Sequence, residues 1–519
     1  MGEILLRLVC GVKPIASILV SIVIWAPNSL HANGWEHTAV PIEALEVGLA
    51  QGNETTRTKA AESLGVRHDP RSLEILLGHL GTGETSETVL SALFHSLGHF
   101  PDDATRIALE TCIFESEYPN RLRAVCVRSL GRIGLGEESL ISIVADPTPR
   151  IIRLAAAEGL SSARSAAATR LLSEILSNRD ASDWPRMFPR AAASLGEIGS
   201  ADAADALSTA LTATSDPRER LVIANALARA AQPGAVDVLL SALEEADVAE
   251  LRLSLTIALS ASQAGDGVTA LLSLLDDPVP AVQLVALDGL LKHGSREGIQ
   301  RVAERAQDYL ADLQVELDRT DPDATTAVAK ASLAAQALRV LHEIRPDSGL
   351  DAFLAAAALV PPEPSNLAAL RIRSAVYEVR RRGLYGMGYV QENRDVIDML
   401  SGSTGLGDPD ARIRAVAVRS LGVIGAHEVE DNLIAALTDP SSEVRWTAAE
   451  VLGLLHAHQA VDDLVLALDD ADPLVRIAAA NALGYIRDHR AAPGLSRAAE
   501  DDDPRVREAA AIASSLLDH

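Results

Sequence analysis

Along most of the chain, apolar positions return every three or four residues, the spacing of an amphipathic α-helix. One such face runs through Val475, Ala478, Ala479, Ala482, Leu483 and Ile486, and a shorter amphipathic stretch, such as Asp463–Leu468, completes each copy. Helices are therefore expected in pairs, a long first helix and a shorter second one. The pairs repeat. Leu421-Gly422, Leu452-Gly453 and Leu483-Gly484 stand 31 residues apart, and Leu64-Gly65, Leu97-Gly98 and Leu130-Gly131 stand 33 apart. Leu195-Gly196 marks a further copy, while Leu227 and Leu259 mark copies that keep the leucine alone. A fixed period of this length is the signature of a repeat architecture.

Turn chemistry punctuates the repeat. Asp-Pro occurs at Asp146, Asp216, Asp277, Asp408, Asp439, Asp472 and Asp503. Asp is a good N-cap, and Pro is tolerated at the first helical position, where its missing N–H has no partner, so each Asp-Pro is expected to open a first helix. The glycine of Leu-Gly is expected to allow the tight turn that closes it. One helix pair cannot bury its own apolar face, but stacked pairs make a continuous core. The pattern thus predicts an all-α solenoid of about fourteen stacked antiparallel helix pairs. Its expected segments are 1–32 as a leader, 33–360 as an N-terminal solenoid, 361–407 as an irregular connecting unit and 408–519 as a C-terminal solenoid.

These features together resemble the HEAT repeat family, specifically its short, phycobilin-lyase-like subclass. The matching residues are the Asp-Pro start, an arginine in the first helix (Arg123, Arg252, Arg414, Arg445, Arg476, Arg507), the Ala-Ala core and the Leu-Gly ending. The resemblance covers roughly residues 42–519. It implies that the first-helix arginines and turn aspartates stack as a ladder between units, a structural role. Residues 325–360 and 361–407 depart from the pattern.

Composition sharpens this. Apolar residues make up 48% of the chain and aromatic ones only 3%, as expected if small alanines let helices approach closely. Against 46 Lys and Arg stand 72 Asp and Glu, a net charge of −26. So acidic a chain is unsuited to general nucleic-acid binding, which depends on neutralising phosphates. All but four of the basic residues are arginine, a bias associated with GC-rich bacterial genomes.

The first 32 residues differ from the rest. Arg7 and Lys13 precede the uncharged run Ile15–Ala26, too short to span a bilayer but suited to a secretory signal, with cleavage expected after Ala32; an uncleaved anchor or a buried helix is the other reading. Removal leaves 44 basic and 71 acidic residues, a charge of −27. The expected location is the periplasm or the exterior, with no stable membrane insertion after removal. Two cysteines remain, Cys112 and Cys126, six residues either side of a turn at Tyr118-Pro119-Asn120. An oxidising compartment permits a disulfide between them, and two buried thiols are the other reading.

No catalytic motif stands out: there is no Gly-rich phosphate loop with Lys, CxxC, Gly-x-Ser-x-Gly elbow or HExxH. His427, His458 and His489 recur every 31 residues, as polar filler at equivalent turns rather than metal ligands. His342-Glu343 and His427-Glu428 echo the His-Glu pairs of deoxyhypusine hydroxylase, a HEAT-type iron enzyme, but out of register. The acidic runs Asp469, Asp470, Asp472 and Asp501, Asp502, Asp503 read as caps and solvated charge rather than calcium ligands. No cofactor, metal or catalytic residue is expected.

The most unusual segment is 361–407. It holds Arg371, Arg373, Arg380, Arg381, Arg382 and Arg394 in an otherwise acidic protein, with Tyr377, Tyr385 and Tyr389 among them. Arg and Tyr are enriched at binding hot spots. Arg371, Arg373, Tyr377, Arg380, Arg381, Arg382, Tyr385 and Tyr389 are accordingly the expected partner contacts. The other reading is a degenerate unit whose arginines pair with neighbouring acidic turns. The function expected is an exported, non-catalytic scaffold for protein partners. Its rival is a HEAT-type enzyme, either bilin-lyase-like or an iron oxidoreductase.

Overall fold

The computed structural model describes residues 40–115, 117–262, 265–296, 298–390 and 393–517. The expected leader and its cleavage point after Ala32 lie outside the described residues. Among the described residues there are 28 α-helices and no strand. The fold is an α-solenoid of stacked antiparallel helix pairs, in two compact units, 40–271 and 272–517. The expected boundaries at 360 and 407 both fall inside the second unit.

In the 40–271 unit the first helices include Glu54–Arg67, Glu87–Leu97, Asn120–Ile133, Arg150–Gly159, Trp184–Ile198 and Pro217–Ala230, each packed on the next. In the 272–517 unit the corresponding row is Ala324–Ile344, Leu367–Met387, Ala411–Ile424, Ser442–Leu454, Pro473–Ile486 and Pro504–Leu517. The segment expected as an irregular connection is itself a helix pair, Leu367–Met387 with Arg394–Ser401. Its prolines at 361, 362 and 364 lie in the non-helical stretch that leads into the first of these. The repeat leucines form the core: Leu64, Leu97, Leu130, Leu195, Leu421, Leu452 and Leu483 are all fully enclosed.

Gly98 lies in the turn that ends its helix, as expected, but the glycines of the other Leu-Gly pairs do not make the turn expected of them. They lie within their helices and meet the next first helix. A Cβ at Gly131 would stand 2.4 Å from Cα of Gly159, one at Gly453 2.7 Å from Cα of Ala482, and one at Gly484 2.9 Å from Cα of Ala513. These glycines set how closely successive first helices approach. The chain reverses three residues later, in left-handed backbone. Gly134 (φ 71°), Gly199 (62°) and Gly425 (75°) hold that position in some units; Ala231 (50°), His456 (51°) and Arg487 (57°) hold it in others.

Asp-Pro also proves to occupy two different positions. At Asp216, Asp472 and Asp503 the carboxylate accepts the N–H two residues on and Pro begins the helix, as expected. At Asp146, Asp277, Asp408 and Asp439 the helix begins later, at Arg150, Pro280, Ala411 and Ser442. In the two clearest copies the cap is instead Asp410 or Ser441, and the outer aspartate serves the ladder.

That ladder is regular. Arg414 forks onto Asp439 through Nε and Nη2, both at 2.7 Å. Arg445 does the same to Asp470 (2.7 and 2.8 Å), and Arg476 to Asp501 (both 2.8 Å), always 25 residues ahead. Nη1 of each meanwhile donates to the carbonyl of its own unit's Asp408, Asp439 or Asp470 at 2.9 Å. Arg57 makes the same fork onto Glu84 and holds the Gly52 carbonyl at 3.0 Å. Arg123, Arg252 and Arg507 donate to main-chain carbonyls, of Ile113, of Leu243 and Ala246, and of Asp501 and Asp502.

Candidate functional site

The helix Leu367–Met387 distributes seven of the eight expected contact residues around its circumference rather than gathering them, and Tyr389 lies in the turn that follows it. Arg380 is 4% exposed and is a rung of the ladder: it pairs with Asp408 and donates to the Ala357 carbonyl at 3.1 Å. Tyr377 is also buried, with the guanidiniums of Arg373 and Arg412 over its ring at 5.2 and 4.8 Å. Arg373 further donates to the Pro362 carbonyl at 3.2 Å. Neither Arg380 nor Tyr377 offers a free surface, because packing between units has already engaged them. Arg381 and Arg382 both pair with Glu378, at 2.9 and 2.8 Å, which cancels part of the expected positive charge. Arg371 is exposed.

Tyr385 and Tyr389 do come together. Their hydroxyls are 3.0 Å apart, and His342, from the preceding first helix, meets both rings edge-on with centroids 4.9 and 4.5 Å away. The His342 pKa is lowered by burial, with Arg382 acting in the same direction and Glu343 opposing. The Tyr389 hydroxyl is raised above the usual phenol value by the bond to Tyr385, and then by burial.

This cluster begins a row that sequence reasoning missed. Arg380 corresponds to Arg414, Arg445 and Arg476, and Gly388 packs on Ser420 just as Gly422 packs on Val451 and Gly453 on Ala482. The residues after Gly388, Gly422, Gly453 and Gly484 are Tyr389, Val423, Leu454 and Tyr485. All four are large and apolar, and they are 41%, 48%, 68% and 52% exposed. The row is continuous where Tyr485 lies against Gly453 and Leu516 against Gly484, at 3.5 and 3.3 Å from a Cβ built there. Trp446 lies on the same helix as Leu454, with the Arg419 guanidinium 5.8 Å from its ring centroid. The 31-residue period already aligned Val423, Leu454 and Tyr485, so exposure was the one missing fact.

The other candidates are engaged locally. His427 meets Glu430 at 2.7 Å, His458 lies 3.5 Å from Asp488, and Glu343 pairs with Arg339. Asp470 and Asp501 are ladder acceptors, and Asp472 and Asp503 are caps. Among the described residues no three His, Cys, Asp or Glu side chains are arranged to hold a metal ion. Cys112, on the second helix Asp103–Phe114, and Cys126, on the first helix Asn120–Ile133, are joined by a disulfide with Cα atoms 6.3 Å apart. A second unanticipated cluster joins His68, His95 and His99, with ring centroids 5.6 and 5.7 Å apart, to Arg132. Burial, and then Arg132, push His99 down to about 4.

Among the described residues no helix is long and apolar enough to cross a membrane. The family of HEAT repeats matches residues 430–515. No curated protein sequence matches the chain. Kap95p, yeast importin-β, is similar in its structure with RanGDP: the match covers 93% of this chain and 73% of that one at 12% identity, with a TM-score of 0.54. In its complex with Nup1 the figures are 93%, 74%, 14% and 0.50. Human deoxyhypusine hydroxylase in complex with glycerol matches 61% of this chain and 96% of its own at 22% identity, with a TM-score of 0.23. Residues 430–515 are HEAT repeats, and the chain has the fold of the HEAT-type solenoids that include importin-β.

Proposed function

We propose that this protein is an exported, non-catalytic scaffold that holds a protein partner on the exposed face of its first helices. The observation that carries the reading is the row Tyr389, Val423, Leu454 and Tyr485. The repeat core does not need these side chains, since Leu421, Leu452 and Leu483 already fill it. Large apolar groups left in solvent at matched positions mark an interaction surface, and aromatic anchors are its usual hot spots. The similar structures support the reading in kind, because Kap95p is seen there with RanGDP and with Nup1, both proteins. Export rests on the leader and its small residue at Ala32, and the phycobilin-lyase-like subclass on the 31-residue period.

A photo-crosslinking amino acid placed at Tyr389, Leu454 or Tyr485 tests the surface, with Leu466 on a second helix as the control. The same protein should be captured from all three row positions and not from the control. The variant Val423→Asp/Leu454→Asp/Tyr485→Asp should lose that partner while melting at the wild-type temperature. Capture equal to the control, or a partner retained by the variant, rules the surface out. Stoichiometric iron or bound pigment in the purified protein would overturn the non-catalytic reading. Deleting residues 1–32 should keep the protein in the cytoplasm.

A further inference from the structure

In the 40–271 unit, successive repeats are also tied along the edge where the first helices end. Gln232 donates to the Gly199 carbonyl at 2.5 Å, and Ser162 donates to the Gly131 carbonyl. An amide and a hydroxyl keep these bonds at any ordinary pH. In the other unit His456 Nδ1 meets the Tyr485 carbonyl at 3.0 Å. A carbonyl only accepts, so this nitrogen carries its proton already, and a second proton on the ring leaves the bond in place.

The joint of Glu54–Arg67, Glu87–Leu97 and Asn120–Ile133 is built differently. His68, in left-handed backbone just after the first of these helices, lies edge-on to the His99 ring at 5.6 Å and meets Phe100 at 6.3 Å. His95 and His99 meet edge-on at 5.7 Å. From the third helix, Arg132 donates to the His95 carbonyl at 3.2 Å. Its Nη1 lies 3.5 Å from His99 Nε2, and its Nη2 lies 3.5 Å from His95 Nδ1. A guanidinium has donors and no acceptor. The two ring nitrogens that face it are therefore the acceptors, and both imidazoles are neutral in the closed joint. A proton on either nitrogen replaces a hydrogen bond by two cations turned face to face.

The surroundings of the cluster act mostly in one direction. Burial disfavours a charge on His95, as do Arg132 and Arg128, while Glu62 on the helix Glu54–Arg67 favours one. On His99, burial comes first, and Arg132, His95 and His68 all add to it. The other ties of Glu54–Arg67 withstand mild acid. Arg57 forks onto Glu84, and Ser86 donates to Glu54 at 3.0 Å. Burial opposes it, but the Ser86 N–H and Arg57 hold Glu84 down to about 2. Thr88 and Ser86 hold Glu54 below the usual carboxylate range. From Pro70–Leu80, which also packs here, His79 faces Glu84 at 3.2 Å, a pair that a proton on His79 only strengthens.

We propose that His95, His99 and Arg132 form an acid-released latch. At neutral pH it holds the helix Glu54–Arg67, through His68, against the next two repeats; when the rings take up protons it lets that helix go. The latch is independent of the function proposed above. Opening takes up protons, so it is favoured as pH falls below the ordinary histidine value of about 6.5, and the effect levels off near the lower value of the closed joint.

Hydrogen exchange of the full chain, read by mass spectrometry, tests this. From pH 7.5 to pH 5, protection of the amides of Glu54–Arg67, corrected for the intrinsic rate, should fall about tenfold. Protection of Pro217–Ala230 should not change. In His95→Gln/His99→Gln the side-chain amides still accept from Arg132 but take up no proton, so protection of Glu54–Arg67 should be the same at both pH values. Arg132→Gln, whose amide donates to a neutral ring or accepts from a protonated one, should shrink the tenfold change. Circular dichroism at pH 7.5 identifies the variants that are folded. Three results would overturn the proposal: unchanged protection of Glu54–Arg67 in the wild type, an equal loss over Pro217–Ala230, or a tenfold loss that persists in either folded variant.

Discussion

The guanidinium of Arg445 holds two repeats at once: it forks onto the Asp470 carboxylate at 2.7 and 2.8 Å and donates to the Asp439 carbonyl at 2.9 Å. Asp470 also accepts the N–H of Asp472 at 2.8 Å, so one carboxylate serves both the joint and the start of its own helix. These bonds, Arg445 first, hold Asp470 below the usual carboxylate range against the opposing effect of burial.

Replacing Asp470 by Asn keeps the shape but removes the charge that the fork needs. A loss of about 2–3 kcal/mol is expected, the value of hydrogen bonds to a charged group. Urea melts should show it, and the double variant Arg445→Met/Asp470→Asn should cost less than the two single changes added.

The same rung has a pH dependence of known sign. The folded pKa values of Asp470 and Asp501 are depressed, so the unfolded chain binds protons first as the solution is acidified. Their stabilisation is complete above the unfolded value of about 4 and is lost as pH falls through the lower folded one. Melting temperatures taken from pH 5 down to pH 2 should fall, and less steeply in Asp470→Asn.

The close contact at Gly453 predicts a large effect from a small change. Gly453→Val places methyl groups against the main chain of Ala482 and should cost about 1–3 kcal/mol, as overpacking does. Ala231 offers the opposite case. Its left-handed backbone strains any L side chain, and Ala231→Gly should gain about 0.5–1 kcal/mol after the added flexibility of glycine is offset. Both can be read from denaturation midpoints.

The disulfide closes a short loop, with Cys126 14 positions after Cys112. Cys112→Ser/Cys126→Ser should lose about 3 kcal/mol, the chain-entropy value for a loop of this size. A reductant should shift the wild-type midpoint by a similar amount and leave the double variant unmoved.

His99 should titrate near pH 4 in a histidine NMR experiment. Burial is the first cause, and Arg132, His95 and His68 add to it. Because the folded value is lower than the unfolded one, the neutral ring's contribution is complete above about pH 6.5 and drains away toward pH 4. His99 is only partly buried, so the effect should be about 1–2 kcal/mol after allowing for solvent screening. His99→Gln should remove that slope.

Much of the fold was legible because helical spacing and a 31-residue period are local and self-checking. Arg414, Arg445 and Arg476 were placed on the ladder by resemblance, and they form it. Asp-Pro misled because one dipeptide serves two positions two residues apart, and only the hydrogen bonds separate Asp439 from Asp472. Leu-Gly misled in the same way: glycine suits both a turn and a close approach, and the sequence does not say which. Arg380 stood among so many arginines that its role was hidden, although it and Gly388 both precede their counterparts Arg414 and Gly422 by 34 residues. The exposed row was hidden for another reason. Apolar residues at a constant period suggest a core until a structure shows that other leucines fill it.

The constant 25-residue reach from each ladder arginine to the next aspartate makes residues 408–438, 439–469 and 470–500 interchangeable parts. Every part presents the same plug at one end and the same socket at the other. A second copy of 439–469 inserted after residue 469 would find Arg445 behind it and Asp470 ahead of it, with the arginine ladder unbroken. The array can therefore be lengthened or shortened in steps of one part, and each step adds or removes one exposed side chain of the row that includes Leu454.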